Sequence, residues 1–187
     1  MDITAEILEK SVAGIPFGDA WPFTGSTTSD TDGYHKRMIA HLERSRRIKV
    51  RRHSDYYGSG YASYIHLLVY ERDGHSTHDR GAFDEIVGLN LYLSRLSPFG
   101  VYGPGFESKS KDGRAGSHNY IEMSTIYRLP EGDWEDFLGE VKCKLTDSGI
   151  VFPSSDHLST PLPVKLDIPT IWDPPYSVFD AIFYWTD

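Results

Sequence analysis

The sequence predicts a single α+β domain built on a largely antiparallel sheet of four to five strands, with about three helices around it. Three observations lead there. Several apolar runs alternate with period two, which is the mark of half-buried strands. Helical spacing recurs in only a few segments. Those segments are placed irregularly, without the regular strand–helix alternation of a parallel sheet. At 187 residues the chain is long enough to bury about 70% of the surface its unfolded form would expose, so one core suffices.

The elements follow in order. Residues 2–13 set Ile3, Ile7 and Leu8 at helical spacing, with Asp2 as the cap and Gly14 and Pro16 as the stop. A long stretch to Gly33 carries Phe17, Trp21 and Phe23, aromatics suited to tacking a loop onto a core. Residues 34–46 bring Tyr34, Met38, His41, Leu42 and Ser45 to one side of a helix. Ile48 and Val50 alternate with Lys49 and Arg51 as a strand. After a turn over residues 55–60, residues 61–71 form a second and central strand, apolar from Ile65 to Val69. Residues 72–81 read as a polar turn. Residues 86–96 form a third strand, with Leu89, Leu91 and Leu93 on one face and Asn90, Tyr92 and Ser94 on the other.

Residues 98–118 are rich in Gly and Ser and read as irregular, and residues 120–129 as a further strand. Asp133 is the expected cap of the clearest helix, with Asp136 at the box position. Trp134, Phe137, Leu138, Val141 and Leu145 form its stripe, and Gly149 its end. Residues 150–152 are brief, and five prolines between Pro161 and Pro175 keep the chain extended. Residues 178–185 are apolar on both faces apart from Asp180, the pattern of a buried closing strand.

Charge is unevenly laid out. Six of the nine residues from Arg44 to Arg52 are basic, yet the formal net charge is -8. Residues 1–130 balance sixteen basic against sixteen acidic side chains, so the deficit lies in 131–187, where eleven carboxylates face three lysines. Such a distribution suits charged partners, because the field steers encounter and repels like-charged surfaces. The single cysteine, Cys143, allows no internal disulfide and fits a reducing compartment. The start of the chain lacks the basic and apolar regions of a signal peptide, and no apolar run approaches a membrane span. A cytoplasmic, bacterial-type protein is therefore expected, without cofactor and away from membranes.

Several constellations bear on chemistry. Asp73, His75, His78 and Asp79 crowd one turn, and imidazole nitrogens with carboxylate oxygens are zinc ligands. The same residue types also suit a solvated hairpin turn, so no metal is assigned. Gly58-Ser59-Gly60 and the glycines at 100, 103 and 105 lack the following helix that a phosphate loop requires. Lys109, Lys111 and Arg114 are the exposed cations of the second loop. Cys143 lies beside the stripe of its helix and reads as structural. His35, His41, His53, His66, His118 and His157 are scattered, and His66 reads as a satisfied core residue. In the basic strip, arginines complement a helix C-terminus and protect a sheet edge. The strip has two other readings: a partner for the acidic segment 131–187 within the fold, or phosphate contacts with Tyr56, Tyr57 and Tyr61 stacking on bases. A pI near 5.4 weighs against nucleic acid, since dedicated binders are basic across the domain.

The small acidic α+β pattern, with aromatic loops and the closing segment Val178-Phe-Asp-Ala-Ile-Phe-Tyr-Trp185, resembles in outline the immunity proteins that bacteria make against their own secreted toxins. The resemblance transfers no functional residue. It implies a non-enzymatic inhibitor that covers a basic toxin surface, and the basic strip departs from it. The expectation is therefore a non-catalytic protein-binding domain that meets a basic partner protein. Its expected contacts are Glu131, Asp133, Glu135, Asp136, Asp156 and Asp173, with Trp172 and Tyr176 as aromatic anchors. The alternatives are a metal-assisted hydrolase using His75 and His78 with Asp73 or Asp79, and a nucleic-acid binder through Arg44–Arg52.

Overall fold

The computed structural model describes residues 3–25, 28–53, 61–163, 165–170 and 173–186. Its strands are β1 (Ile48–Arg52), β2 (Tyr61–Ala62), β3 (Tyr64–Glu71), β4 (Thr77–Asp79), β5 (Phe83–Ser94), β6 (Gly100–Ser110), β7 (Gly116–His118) and β8 (Trp185–Thr186). The helices are α1 (Ala5–Val12), α2 (Thr28–Glu43), α3 (Glu135–Asp147), α4 (Ser155–Leu158) and α5 (Val178–Ile182). An antiparallel sheet runs in the order β1-β3-β5-β6-β7, with β4 paired to the first part of β5, and β2 pairs β8 in a separate ribbon. The α+β class and the antiparallel sheet are as expected, with six strands in the main sheet where the sequence predicts four to five.

Alternation along the strands divides the sheet into two faces. Ile65, Leu67 and Val69 of β3 and Leu89, Leu91 and Leu93 of β5 share a core with Met38 and Leu42 of α2 and Phe137, Val141 and Leu145 of α3. Each such fully buried side chain contributes about 1.5–3 kcal/mol. On the opposite face Tyr64 and Tyr92 join Leu8 of α1, Phe179 and Ile182 of α5, and Ile121 and Ile126. Gly139 sits in α3 with no neighbour within 4 Å of an added Cβ. Gly139→Ala should therefore stabilise the protein by about 0.5–1 kcal/mol, because a helical glycine loses more backbone freedom on folding. A rise in thermal midpoint checks this.

Strand β6 does not lie flat. Glu107 of β6 meets both Arg51 and His53, which are on or just after β1, although β3 and β5 stand between those strands in the sheet order. The arch is permitted at Gly105, where an added Cβ would lie 2.5 Å from Leu68 Cδ1 and 2.6 Å from the Asn90 nitrogen. The glycines and proline that suggested an irregular segment at 98–118 are thus the residues that let two paired strands curl.

Other expectations are corrected too. Residues 120–129 are a series of turns closed by Thr125 N→Glu122 O and Arg128 N→Thr125 O, and their apolar residues reach the core from separate turns. Residues 178–185 begin as α5, because Ser177 and Asp180 form a capping box and a helix buried all round is apolar all round. The N-cap of α3 is Trp134, without a side-chain bond, so neither Asp133 nor Asp136 caps it. Helix α2 occupies Thr28–Glu43 and so starts before the 34–46 that the spacing predicts. The polar turn at 72–81 contains β4, and the strand expected at 61–71 breaks at Ser63, which pairs with Tyr184. Thr4 caps α1. Asp2, the turn at 55–60 with Tyr56 and Tyr57, and Trp172 lie outside the described residues. Among the described residues no helix is long and apolar enough to cross a membrane.

Candidate functional site

A cleft of about 620 Å³ opens between the turn after β3, the middle of β6 and the segment that leads into α3. Glu71, His75 and His78 form one wall, Glu131 and Asp133 the other, and Pro104, Phe106, Pro130 and Trp134 the apolar floor. The local sequence builds each wall. Asp73 accepts the His75 amide at 3.0 Å, and Ser76 Oγ accepts the Glu71 amide at 3.0 Å, so the turn is held by side chains on both sides. Gly132 takes φ 107°, and the Trp134 indole donates to the Glu131 carbonyl at 3.1 Å, folding the approach to α3 back on itself. Trp134 is 8% exposed.

No lysine or arginine lines the cleft among the described residues. Glu131, Asp133, Glu135 and Asp136 are exposed and form no ion pair among the described residues. Glu71 on the facing wall is compensated by Arg47 at 2.6 Å, and on nearby strands Glu85 is paired with Arg80 at 2.8 Å and Asp79 with Lys111 at 2.7 Å. The first turn of α3 accounts for part of this concentration, since acids favour the positive end of a helix. That preference does not extend to Glu131 and Asp133, which precede the helix.

The structure regroups the residues considered as metal ligands. Glu71, Asp73 and His75 each bring a ligand atom within 4.8 Å of the other two. His78 lies on β4 opposite Glu85, and Asp79 is held by Lys111. Glu71 Oε1 already accepts from Arg47, and the His75 ring, 84% exposed, lies 3.5 Å from Asp73 Oδ2.

The remaining expected contacts are dispersed. Asp156 is exposed on α4, and Asp173 is exposed just before the Pro174-Pro175 pair. Tyr176 is half-buried and lines a separate groove with Pro161, Leu162, Pro174 and Pro175. Cys143 is exposed rather than packed. The basic strip lies largely on and beside the edge strand β1, where charge discourages pairing with a second sheet. Arg47 pairs with Glu71 and Arg51 with Glu107, so these partners belong to β3 and β6 and not to segment 131–187. Lys49 stands over Tyr70 at 6.0 Å.

Sequence reasoning missed a column of imidazoles on the curled face. His53 lies 4.3 Å from His66 and stacks on His118 at 4.2 Å with an interplanar angle of 17°. His66 Nε2–H donates to Asn90 Oδ1 at 3.0 Å, and Asn90 in turn donates to Asn119 Oδ1 at 2.9 Å. The signal available was positional: the His53 amide bonds the His66 carbonyl, which places the two rings side by side once β1 and β3 are paired. Burial lowers the ring pKa values to about 4 for His53 and about 3 for His66, and lowers that of His118. Nearly parallel rings do not aim their nitrogens at one point, so the His53–His118 stack is not arranged as a metal chelate. The chain matches no protein-family model, no curated protein and no solved structure.

Proposed function

We propose that this chain is a non-catalytic protein-binding domain that receives a basic segment of a partner protein in the cleft between the β3–β4 turn and the start of α3. An immunity-like inhibitor of a basic toxin is the form of this function that the sequence resemblance suggests. The observation that carries the reading is a cleft whose α3-side wall presents Glu131 and Asp133 without an ion-pair partner among the described residues, over an indole-containing floor, while Glu71 on the facing wall is already paired with Arg47. Charge complementarity sets encounter, and an arginine or lysine stem laid on Trp134, Phe106 and the prolines would bury apolar area while its head meets Glu131 and Asp133. Glu135 and Asp136 extend the same field. Asp156, Asp173 and Tyr176 lie outside this cleft and are not needed for it.

The test uses the full chain and a variant carrying Glu131→Lys and Asp133→Lys as parallel baits in lysate of the source cell. Captured proteins are then purified and titrated by calorimetry. The expected result is a basic protein bound by the wild type and weakened roughly tenfold to 100-fold by the double reversal. Equal affinity for both baits would sink the proposal.

A second reading rests on the convergence of Glu71, Asp73 and His75: a divalent cation held there would make the cleft a metal-assisted hydrolase site. Elemental analysis of the purified chain separates the two. Stoichiometric metal lost in His75→Ala supports the second reading, and a metal-free protein that still binds its basic partner removes it.

A further inference from the structure

On the face of the sheet opposite α2 and α3, a cavity of about 120 Å³ lies among Tyr64, Tyr92, Tyr120, Ile121, Phe179 and Tyr184, with Phe183, Trp185, Thr170 and Asp180 completing its wall. It is separate from the acidic cleft and shares no residue with it. Most of its lining is deep in the core: Tyr92 is 2% exposed, Tyr184 3% and Phe183 5%. Tyr120, 41% exposed, stands at its mouth. Protein cores keep few voids larger than a water molecule, and an empty apolar void destabilises in proportion to its volume. A void of this size held open by aromatic rings is a space shaped for an occupant.

The chemistry of the wall selects the occupant. Among the described lining residues Asp180 is the one carboxylate, and the others are aromatic rings, Ile121 and Thr170. Aromatic faces are the negative ends of ring quadrupoles and attract cations. Elsewhere the protein supplies its own: Arg37 stands over Trp21, Arg47 over Phe137, and Lys142 over Tyr102 and Phe152. No lysine or arginine stands over Tyr64, Phe179, Phe183 or Tyr184 among the described residues. We infer that this cavity is a binding site for a small organic cation, an alkylated ammonium group enclosed by the tyrosine and phenylalanine rings and balanced by Asp180.

The probes are choline and its neutral isostere 3,3-dimethylbutan-1-ol, titrated into the full chain with tryptophan fluorescence and tyrosine ring resonances as readouts. Choline should bind saturably with a Kd of about 1 mM, at least roughly fivefold tighter than the neutral alcohol, the share expected of cation–π attraction. Tyr120→Leu, at an exposed position, should weaken choline by about fivefold and leave the neutral alcohol unchanged. Asp180→Asn is a second variant, read only where its thermal midpoint shows a folded chain, and should weaken choline in the same direction. A capped trimethyl-lysine amide distinguishes the two sources of such a group: tighter binding than choline assigns the site to a partner's side chain, weaker binding to a free small molecule. Absence of saturable choline binding, or equal affinity for the neutral alcohol, overturns the proposal.

Discussion

Gly88→Ala and Gly105→Ala should each cost roughly 3 kcal/mol or more, because the added methyl has no free space and its neighbours include backbone that cannot retreat. At Gly88 the new Cβ would lie 2.3 Å from the Val69 carbonyl oxygen and 2.9 Å from Tyr70 Cβ. At Gly105 it would meet Leu68 Cδ1 at 2.5 Å, the Asn90 nitrogen at 2.6 Å and the Leu89 carbonyl carbon at 2.9 Å. Relief requires β3 and β5 to separate at Gly88, and β5 and β6 to separate or the arch of β6 to open at Gly105. Opening it would carry Glu107 away from Arg51 and His53, whose contacts span the curled face. Urea unfolding of the two variants beside the wild type measures the loss. The Gly139→Ala protein, in which the same methyl meets nothing, controls for the chemical change. Retention of wild-type stability in Gly105→Ala would mean that β6 does not approach β5 and Leu68 this closely.

These two glycines also show where the sequence could be read and where it could not. Local periodicity exposes what a single element buries. The stripe Phe137, Val141 and Leu145 is buried as the spacing requires, and the leucines of β5 share a face. Residues whose role depends on a second element are ambiguous from the sequence. Gly103, Pro104 and Gly105 signal a loop by propensity, yet the arch of a paired strand needs the same residues. The segment after Ser177 is apolar on every side both as a buried strand and as a buried short helix, and only the capping bonds of Asp180 decide between them.

The same distinction holds for the candidate sites. The excess of unpaired acids before and within the first turn of α3 is visible in composition. Their meeting with Glu71, His75 and Phe106 is not, since the cleft exists only once β3, β4 and β6 are in register. The imidazole column joins residues from the end of β1, from β3 and from β7. No spacing rule links positions 53, 66 and 118. The basic strip was readable as edge protection. That Arg47 is spent on Glu71 depends on the pairing of β1 with β3, and that Arg51 is spent on Glu107 depends on the curl of the sheet.

Acidification from neutral pH to about pH 4.5 should remove roughly 8 kcal/mol of stability, comparable with the whole stability of an ordinary domain. The groups responsible are His35, His53 and His66, which are 1%, 7% and 2% exposed. Burial holds His35 and His53 at about 4 and His66 at about 3; among the other charges, Arg95 lowers His35, His118 and Arg51 lower His53, and His53 lowers His66. Because the folded values lie below the ordinary 6.5, the unfolded chain takes up protons first as pH falls. Stability is thus fully present above about pH 6.5 and declines by about 1.4 kcal/mol per pH unit for each ring until the folded values are reached. Glu107, 3.9 Å from His53 Nε2, opposes the trend for that ring, while its contact with Arg51 limits its pull. The measurement is urea unfolding at a series of pH values for the wild type and for His66→Gln, whose amide can still donate to Asn90. The variant should lose stability near pH 7 through the altered packing, and its dependence on pH between about 6 and 4.5 should be shallower by about 1.4 kcal/mol per unit. Equal slopes for the two proteins would show that His66 already binds its proton in the fold, and a flat wild-type profile would extend that conclusion to His35 and His53.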